Sequence, residues 1–323
     1  MIKVIHPEAH HWAQEGYDLQ SIYKHVARCA RVCYQSKQKD NNESCYDFLV
    51  RTLFRGIEPK DINTKDLAKY HLSVCEHGIV HLKYPLFMPR AAAQSTKFIY
   101  NHYSRTKEHE GYIYITTNMR VLIENHWMDE LEFIDTNINC PYYTSAFTIS
   151  LITDIGCSRE LNRHRTHSVS EESTRYCRYT ANKFGGNISI IKVPWIPYTL
   201  EDPDDSVNTS YETGFYNDNE IFDSTTKVIF DKHTYNWNAI DWFLYGIQIS
   251  NLVYSKCIEL GWTAQQAREI LPLNTKTQLI HTAFLDDWKE FIKLRLDEVS
   301  GKVHPVMKDL ALRIQKEINV SCI

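Results

Sequence analysis

Arg159–Tyr179 reads RELNRHRTHSVSEESTRYCRY and concentrates basic side chains in a protein whose formal net charge is −4. It contains five arginines, two histidines and three glutamates. Because arginine presents several donors in one plane, a phosphate is the natural ligand of such a cluster. A solvated basic face, or an ion-pair network with the three glutamates, explains the same composition equally well.

Helices and strands alternate on both sides of this stretch, which predicts an α/β or α+β class. Hydrophobic spacing of period two predicts a strand at Phe147–Ile152, and Gly111–Thr116 and Thr277–Phe284 are further strand candidates. Helical spacing and capping residues predict helices over Ser21–Tyr34, from Asn118 to about Trp127, over Cys157–Arg165, and from Asp286 or Asp287 to Leu296. Thr263 and Gln266 form a capping box, and the helix they open must end by Pro272.

Arg295 stands in the middle of the apolar face of the last of these helices. It follows Trp288 by seven residues and Ile292 by three, so all three side chains share one face. A buried guanidinium without a partner is costly. Either an acidic neighbour pairs with Arg295 or its side chain faces a ligand cavity, and the spacing alone does not choose between them.

Composition narrows the class of protein. The 36 Lys and Arg against 40 Asp and Glu argue against a chain that coats nucleic acid through its overall charge. Nine cysteines without a CxxC pair favour buried thiols in a reducing cytoplasm, and no apolar run is long enough for a membrane span. The polar segment 201–226 is predicted to be an exposed insertion.

Four motifs occur in the order found in the flavin-dependent thymidylate synthases, also called thymidylate synthase complementing proteins. Arg163-His164-Arg165, seven residues and then Ser173 form the RHR-x7-S pattern of that family. His71–His77 resembles its H-x-[ST]-x-x-E-H segment, and Ala267–Pro272 resembles its A-R-x-x-L-P block. Lys293-Leu294-Arg295 followed by His304 resembles its L-R…H ending.

The resemblance implies a single catalytic domain over residues 1–323, built on a mixed sheet with long helices and enlarged by insertions at about 86–140 and 201–226. It implies reductive methylation of dUMP to dTMP, with methylenetetrahydrofolate as carbon donor and NADPH-reduced FAD as hydride carrier. It further implies a homotetramer with shared active sites. We expect no bound metal, no nucleic-acid partner and no membrane association.

Roles carry over from the family position by position. The resemblance implies FAD contacts at His71, Ser73, Arg163, His164, Arg165, Glu171 and His304. It implies dUMP contacts at Glu160, Glu171, Ser173, Thr174, Arg175, Arg268 and Arg295. His71, Ser173 and Arg295 are the catalytic candidates, and an arginine beside the uracil carbonyl suits a developing enolate.

One segment departs from the family pattern. Phe284, Asp286 and Glu290 stand where many members have Asn, Arg and Asn, of which an Asn and the Arg touch FAD. An aspartate cannot make an arginine's contact with a diphosphate. This departure motivates one alternative, a dUMP hydroxymethylase with the same fold. A nucleic-acid-binding protein that uses the Arg/Tyr-rich loop is a second alternative, from another class.

Overall fold

The computed structural model describes residues 3–36, 43–184, 186–195, 239–297 and 301–321. The predicted insertion at 201–226 lies outside these residues. The chain divides into two compact units, described separately below, and the single domain over residues 1–323 stays a prediction. The smaller unit comprises Met1–His6, Asp154–Gly156 and Thr174–Lys276, and the larger unit comprises Pro7–Thr153, Cys157–Ser173 and Thr277–Ile323.

Strands and helices alternate along the described chain. The strands are β1 (Lys3–Ile5), β2 (Glu8–His11), β3 (Ile79–Pro85), β4 (Arg105–His109), β5 (Tyr112–Asn118), β6 (Ala146–Asp154), β7 (Ser168–Glu171), β8 (Ser189–Ile191) and β9 (Lys276–Phe284). The helices are α1 (Leu19–Tyr34), α2 (Cys45–Thr52), α3 (Pro89–Ile99), α4 (Met119–Glu124), α5 (Ile155–Leu161), α6 (Ala239–Glu259), α7 (Ala264–Ala267), α8 (Leu285–Leu296) and α9 (Pro305–Ser321). Among the helices of the described residues, none is long and apolar enough to cross a bilayer.

The strands form three sheets, which confirms the α/β class. In the larger unit, one sheet has the order β2-β6-β9-β7 and another the order β3-β5-β4. The pairs β2–β6, β7–β9, β3–β5 and β4–β5 are antiparallel. In the smaller unit, β1 and β8 pair in parallel. The short RHR segment therefore lies between β6 and β7, two strands of the same sheet.

Predictions from short-range signals are confirmed. The three predicted strands are β5, β6 and β9, and the helix predicted over Ser21–Tyr34 is α1. The Asn118 side chain caps α4 by accepting a hydrogen bond from the backbone N–H of Val121. At the start of α7, Gln266 Oε1 accepts from the backbone N–H of Thr263 at 2.9 Å, as the capping box requires.

Three predicted helix boundaries are wrong. The helix predicted over Cys157–Arg165 ends at Leu161, because the amides of Arg163 and His164 bond three residues back, as in a tight turn. The helix after Asn118 ends at Glu124, since His126 adopts a left-handed φ of 56°. Neither Asp286 nor Asp287 caps α8. β9 runs straight into α8, and the amide of Leu285 donates to the carbonyl of Ser145.

Half of the cysteines among the described residues are buried thiols, as the composition predicts, and the others are half-buried. Among the described residues no disulfide is formed, and Cys29, Cys75 and Cys177 are at most 1% exposed. Burial raises the pKa of the Cys29 and Cys75 thiols above its usual range. These two groups are therefore protonated and unreactive at neutral pH.

A line of buried polar side chains crosses the larger unit from α1 to β7. His25 Nε2 lies 3.1 Å from Thr148 Oγ1, which lies 2.7 Å from Thr282 Oγ1. His77 Nδ1 lies 2.8 Å from Thr282 Oγ1, and His77 Nε2 lies 2.9 Å from Ser170 Oγ. Burial lowers the pKa of His25 to about 4 and that of His77 to about 3, so both rings are neutral at pH 7.

Acid should therefore destabilise the larger unit. Below about pH 6.5 the unfolded chain protonates its histidines, whereas folded His25 and His77 stay neutral, so the free energy of unfolding falls as the pH falls from about 6.5 to about 4. His77→Gln should weaken this dependence by up to about 1.4 kcal/mol per pH unit. Urea unfolding at several pH values measures the dependence. His10→Gln, at an exposed histidine, is the control. An unchanged slope in His77→Gln would contradict the assignment.

Candidate functional site

Arg295 is held inside the larger unit by Glu160, which lies 135 residues earlier in the chain. The side chain of Arg295 is 15% exposed. Its Nη1 donates to Glu160 Oε2 at 2.9 Å, and its Nη2 donates to the Glu160 carbonyl at 3.3 Å. The sequence left two alternatives for Arg295, an acidic partner or a ligand cavity. The structure shows the acidic partner, Glu160.

His164 completes this group by accepting hydrogen bonds from Arg295. Its Nε2 lies 3.1 Å from Arg295 Nη2 and 3.3 Å from Arg295 Nε. Burial, and then the charges of Arg295 and Arg163, lower the pKa of His164 to about 4. His164 is therefore neutral at pH 7. Since Nε2 accepts, the ring proton is on Nδ1. We call Glu160, His164 and Arg295 the Arg295 cluster.

Aromatic rings of α8 support the turn that carries His164. The His164 ring lies 4.7 Å from Phe291, edge to face, and the His167 ring lies 4.4 Å from Trp288 in the same arrangement. Burial lowers the pKa of His167 to about 4, so it too packs as a neutral ring. The turn is therefore anchored by packing as well as by hydrogen bonds.

A cleft of about 730 Å³ lies within the larger unit. Its wall includes the loop from Ile99 to Arg105, the strand ends at Asn118 and Phe284, and Arg165 from the RHR segment. Two arginines, the carboxylates of Glu76 and Asp287, amide and hydroxyl groups and aromatic rings thus line one cavity. Among the described residues, no group of His, Cys, Asp and Glu side chains is arranged to hold a metal ion.

Other predicted site residues of the larger unit lie on different elements. His71 and Ser73 are exposed at the start of the 3₁₀ turn Leu72–His77. Glu171 Oε1 accepts from Thr277 Oγ1 at 3.1 Å, and the amide of Ser173 donates to the Cys33 carbonyl. Arg163 is exposed. His304 is exposed too, and its Nδ1 lies 3.9 Å from Cys157 Sγ.

Thr174, Arg175 and Arg268 belong to the smaller unit. Arg175 is exposed and its Nε donates to Gln265 Oε1 of α7 at 3.2 Å. Arg268 follows α7 directly and pairs with Glu269 at 3.3 Å. Arg175 thus reaches the helix that leads into Arg268.

Sequence reasoning missed several residues of this region. Arg105 lines the cleft from β4, and His167 and His281, whose Nδ1 atoms lie 3.4 Å apart, pack beside α8. His281 follows the period-two spacing of β9 and shares a strand face with Leu279 and Ala283, which indicates burial. Arg105 carries no comparable local signal, since its neighbours Thr106, Lys107 and Glu108 are polar.

The family model described as thymidylate synthase complementing protein matches residues 88–319. The match covers well over half of the chain, so the protein belongs to this family. The predicted family is thereby confirmed, and the RHR segment, Arg268, Arg295 and His304 all lie within the match.

Individual relatives are distant. A probable flavin-dependent thymidylate synthase of Paramecium bursaria Chlorella virus 1 is 24% identical over 163 residues, or 50% of this chain. The match spans 62% of that relative's length. Two crystal structures of the UMP/dUMP methylase PolB from Streptomyces cacaoi, bound with 5-Br dUMP and with 5-Br UMP, are 18% identical. The matches cover 54% of this chain and 67% and 69% of those chains, with TM-scores of 0.36 and 0.35.

Removing the charge of Arg295 should raise the pKa of His164. In Arg295→Gln the nearby cation is lost while burial remains, so the pKa rises from about 4 part of the way toward about 6.5. The Cε1–H signal of His164, followed by NMR against pH and assigned with His164→Gln, measures it. Arg313→Gln removes an arginine of α9 that pairs with Asp309 and should leave the signal unchanged. A constant or lower pKa in Arg295→Gln would contradict this electrostatic coupling.

Proposed function

We propose that the protein is a flavin-dependent thymidylate synthase that reductively methylates dUMP to dTMP. FAD is the proposed cofactor, with methylenetetrahydrofolate as carbon donor and NADPH as reductant. Membership of the family and the named activity of the viral relative support this proposal. They favour an enzyme over a nucleic-acid-binding protein that uses the Arg/Tyr-rich loop.

The observation that carries the proposal is the Arg295 cluster. The family resemblance assigns its three residues to the two ligands, FAD and dUMP. Glu160 of α5 and His164 of the turn after it both lie within hydrogen-bonding distance of Arg295 of α8. The second N–H of Arg295 Nη1 is not used in these bonds. We propose that it donates to a uracil carbonyl and stabilises negative charge as it develops there.

Glu160 and His164 would position this donor. The carboxylate fixes the guanidinium through a charge-assisted hydrogen bond, and the neutral imidazole accepts from the other side. Because His164 is uncharged at pH 7, it adds no second cation that would repel Arg295. The cluster is thus preorganised before any substrate binds, which is the arrangement that electrostatic catalysis needs.

The residues lining the cleft fit FAD. Arg165 matches its diphosphate, amide and hydroxyl groups match its polar edges, and Tyr and Phe rings match its aromatic rings. We propose that Arg163, His164 and Arg165 hold FAD, with His71, Ser73, Glu171 and His304 as further contacts. FAD, when bound, supplies the hydride-transfer chemistry that no side chain can perform.

The phosphate of dUMP is assigned on the family resemblance. Ser173, Thr174, Arg175 and Arg268 are the ligands that the resemblance implies. Glu171 is proposed to support the same loop. A homotetramer with shared sites is proposed on the same basis, and a cytoplasmic location is proposed from the cysteine pattern.

The segment that departs from the family pattern, at Phe284, Asp286 and Glu290, motivates an alternative in which the product is a hydroxymethyl nucleotide. Phe284 lines the cleft where the family pattern has Asn, so an aromatic ring replaces a polar amide at this point of the wall. A different side chain in the cleft wall can change whether a methyl or a hydroxymethyl nucleotide is formed. A dUMP hydroxymethylase would use the same nucleotide and cofactor. Only the oxidation state of the transferred carbon separates the two reactions.

Product analysis tests the proposal. Purified protein reconstituted with FAD and incubated with dUMP, methylenetetrahydrofolate and NADPH should give dTMP, identified by its mass. Omission of NADPH should abolish the product if reduced flavin is the hydride carrier. A hydroxymethyl nucleotide would select the alternative, and no modified nucleotide from flavin-loaded protein would reject both reactions.

Arg295→Ala should weaken dUMP binding about tenfold or more, since a hydrogen bond from a charged group is lost. The fold should persist, because Glu160 is 36% exposed and can be hydrated once its partner is gone. Isothermal titration with dUMP measures the affinity, and circular dichroism monitors the fold. Lys289→Ala, at an exposed position of α8, is the control. Unchanged dUMP affinity in a folded Arg295→Ala protein would refute the role of Arg295.

A further inference from the structure

Arg105 is an arginine of the cleft to which neither the motifs nor the family resemblance assign a role. It is the first residue of β4, and its side chain is 39% exposed. It lines the cleft together with Arg165, which comes from the RHR segment. Two carboxylates line the cleft as well, but Glu76 pairs with Arg120 and Asp287 pairs with Arg105. The cavity therefore collects two arginines from distant parts of the chain, and their planar donors suit an anionic ligand.

The guanidinium of Arg105 is braced on several sides. Its central carbon lies 4.3 Å from the centre of the Phe284 ring, which is a cation–π contact. Nη1 donates to the carbonyls of His102 at 3.1 Å and Ser104 at 3.2 Å. Nη2 lies 3.5 Å from Asp287 Oδ2. These contacts fix the direction of the planar fork and lower the entropy cost of binding an anion.

Donors of Arg105 are still available after these contacts. The bonds just described use Nη1 and Nη2, and among the described residues Nε–H has no partner. Nη2 carries two N–H groups and Asp287 engages only one of them, so the other and Nε–H can donate to a phosphate while Asp287 stays in place.

Aromatic side chains lie next to Arg105 along the same wall. Tyr100 is 85% exposed and Tyr103 is 56% exposed, and both line the cleft with Phe284. Large exposed aromatic side chains beside a braced arginine form a surface for a ligand that combines flat rings with phosphate. A cavity of about 730 Å³ is within the usual size range of cofactor sites.

We propose that Arg105, braced by Phe284 and Asp287, binds the diphosphate of the aromatic dinucleotide that occupies the cleft, together with Arg165. The inference rests on the proposed function, in which that dinucleotide is FAD. It adds a phosphate ligand from β4 and gives Phe284 a purpose: its ring orients the arginine. Arg105 is thus a cofactor-binding residue and does not act on the substrate.

Flavin binding by Arg105→Gln tests the inference without any activity assay. The dissociation constant for FAD, measured by quenching of flavin fluorescence, should rise about tenfold or more, because a charge-assisted hydrogen bond is lost. Riboflavin, which has no phosphate, should bind the variant and the wild type equally. Lys107→Gln removes a cation from the same strand, outside the cleft lining, and should bind FAD like the wild type.

Arg105→Lys serves as a second variant. It keeps the charge but not the planar fork, so its FAD affinity should lie between that of the wild type and that of Arg105→Gln. Wild-type protein that binds no FAD would reject the proposed function and this inference together. Normal FAD affinity in Arg105→Gln would overturn the inference alone. An equal loss of FAD and riboflavin affinity would also overturn it, since Arg105 would then shape the cleft without binding phosphate.

Discussion

The guanidinium of Arg295 is a charge placed on the apolar face of α8, and the arrangement around it follows from that placement. Removing a cation from water costs several kcal/mol unless hydrogen bonds and an opposite charge replace the lost hydration. Glu160 supplies the charge and one carbonyl, and His164 supplies a further acceptor. The end of α5, the turn after it and α8 are thereby tied to one another at a single point.

This constraint also explains why the RHR segment is not helical. An extension of α5 through Arg165 would carry His164 along the helix axis, whereas the tight turn after Leu161 brings its ring against Phe291 and its Nε2 to Arg295. The turn leaves Arg163 and Arg165 exposed on either side of a half-buried, neutral histidine. One short segment thus offers two cations to ligands while its central residue is held by Arg295 and Phe291.

What the sequence predicts well depends on the range of the interaction. The caps at Asn118 and Thr263, and the period-two strands, depend on neighbours within a few residues, and the structure confirms them. The end of α5 and the start of α8 depend on partners far along the chain, and both were predicted wrongly. In the site, spacing put Arg295 on an apolar face but did not identify its partner. Only the fold shows that Glu160 is within 2.9 Å.

Arg105 shows that the same limit applies to predicting functional residues from the sequence. It lies on a polar strand inside the segment 86–140 that was predicted to be an insertion, where no periodicity marks it. The fold brings it over Phe284, at the end of another sheet's strand, and into one cleft with Arg165. A cleft selects its ligand by the charges that face it, and these can come from any strand that reaches its wall. The acidic residues Glu76 and Asp287 therefore do not make the cleft uniformly acidic, because Arg105 and Arg165 are contributed from elsewhere in the chain.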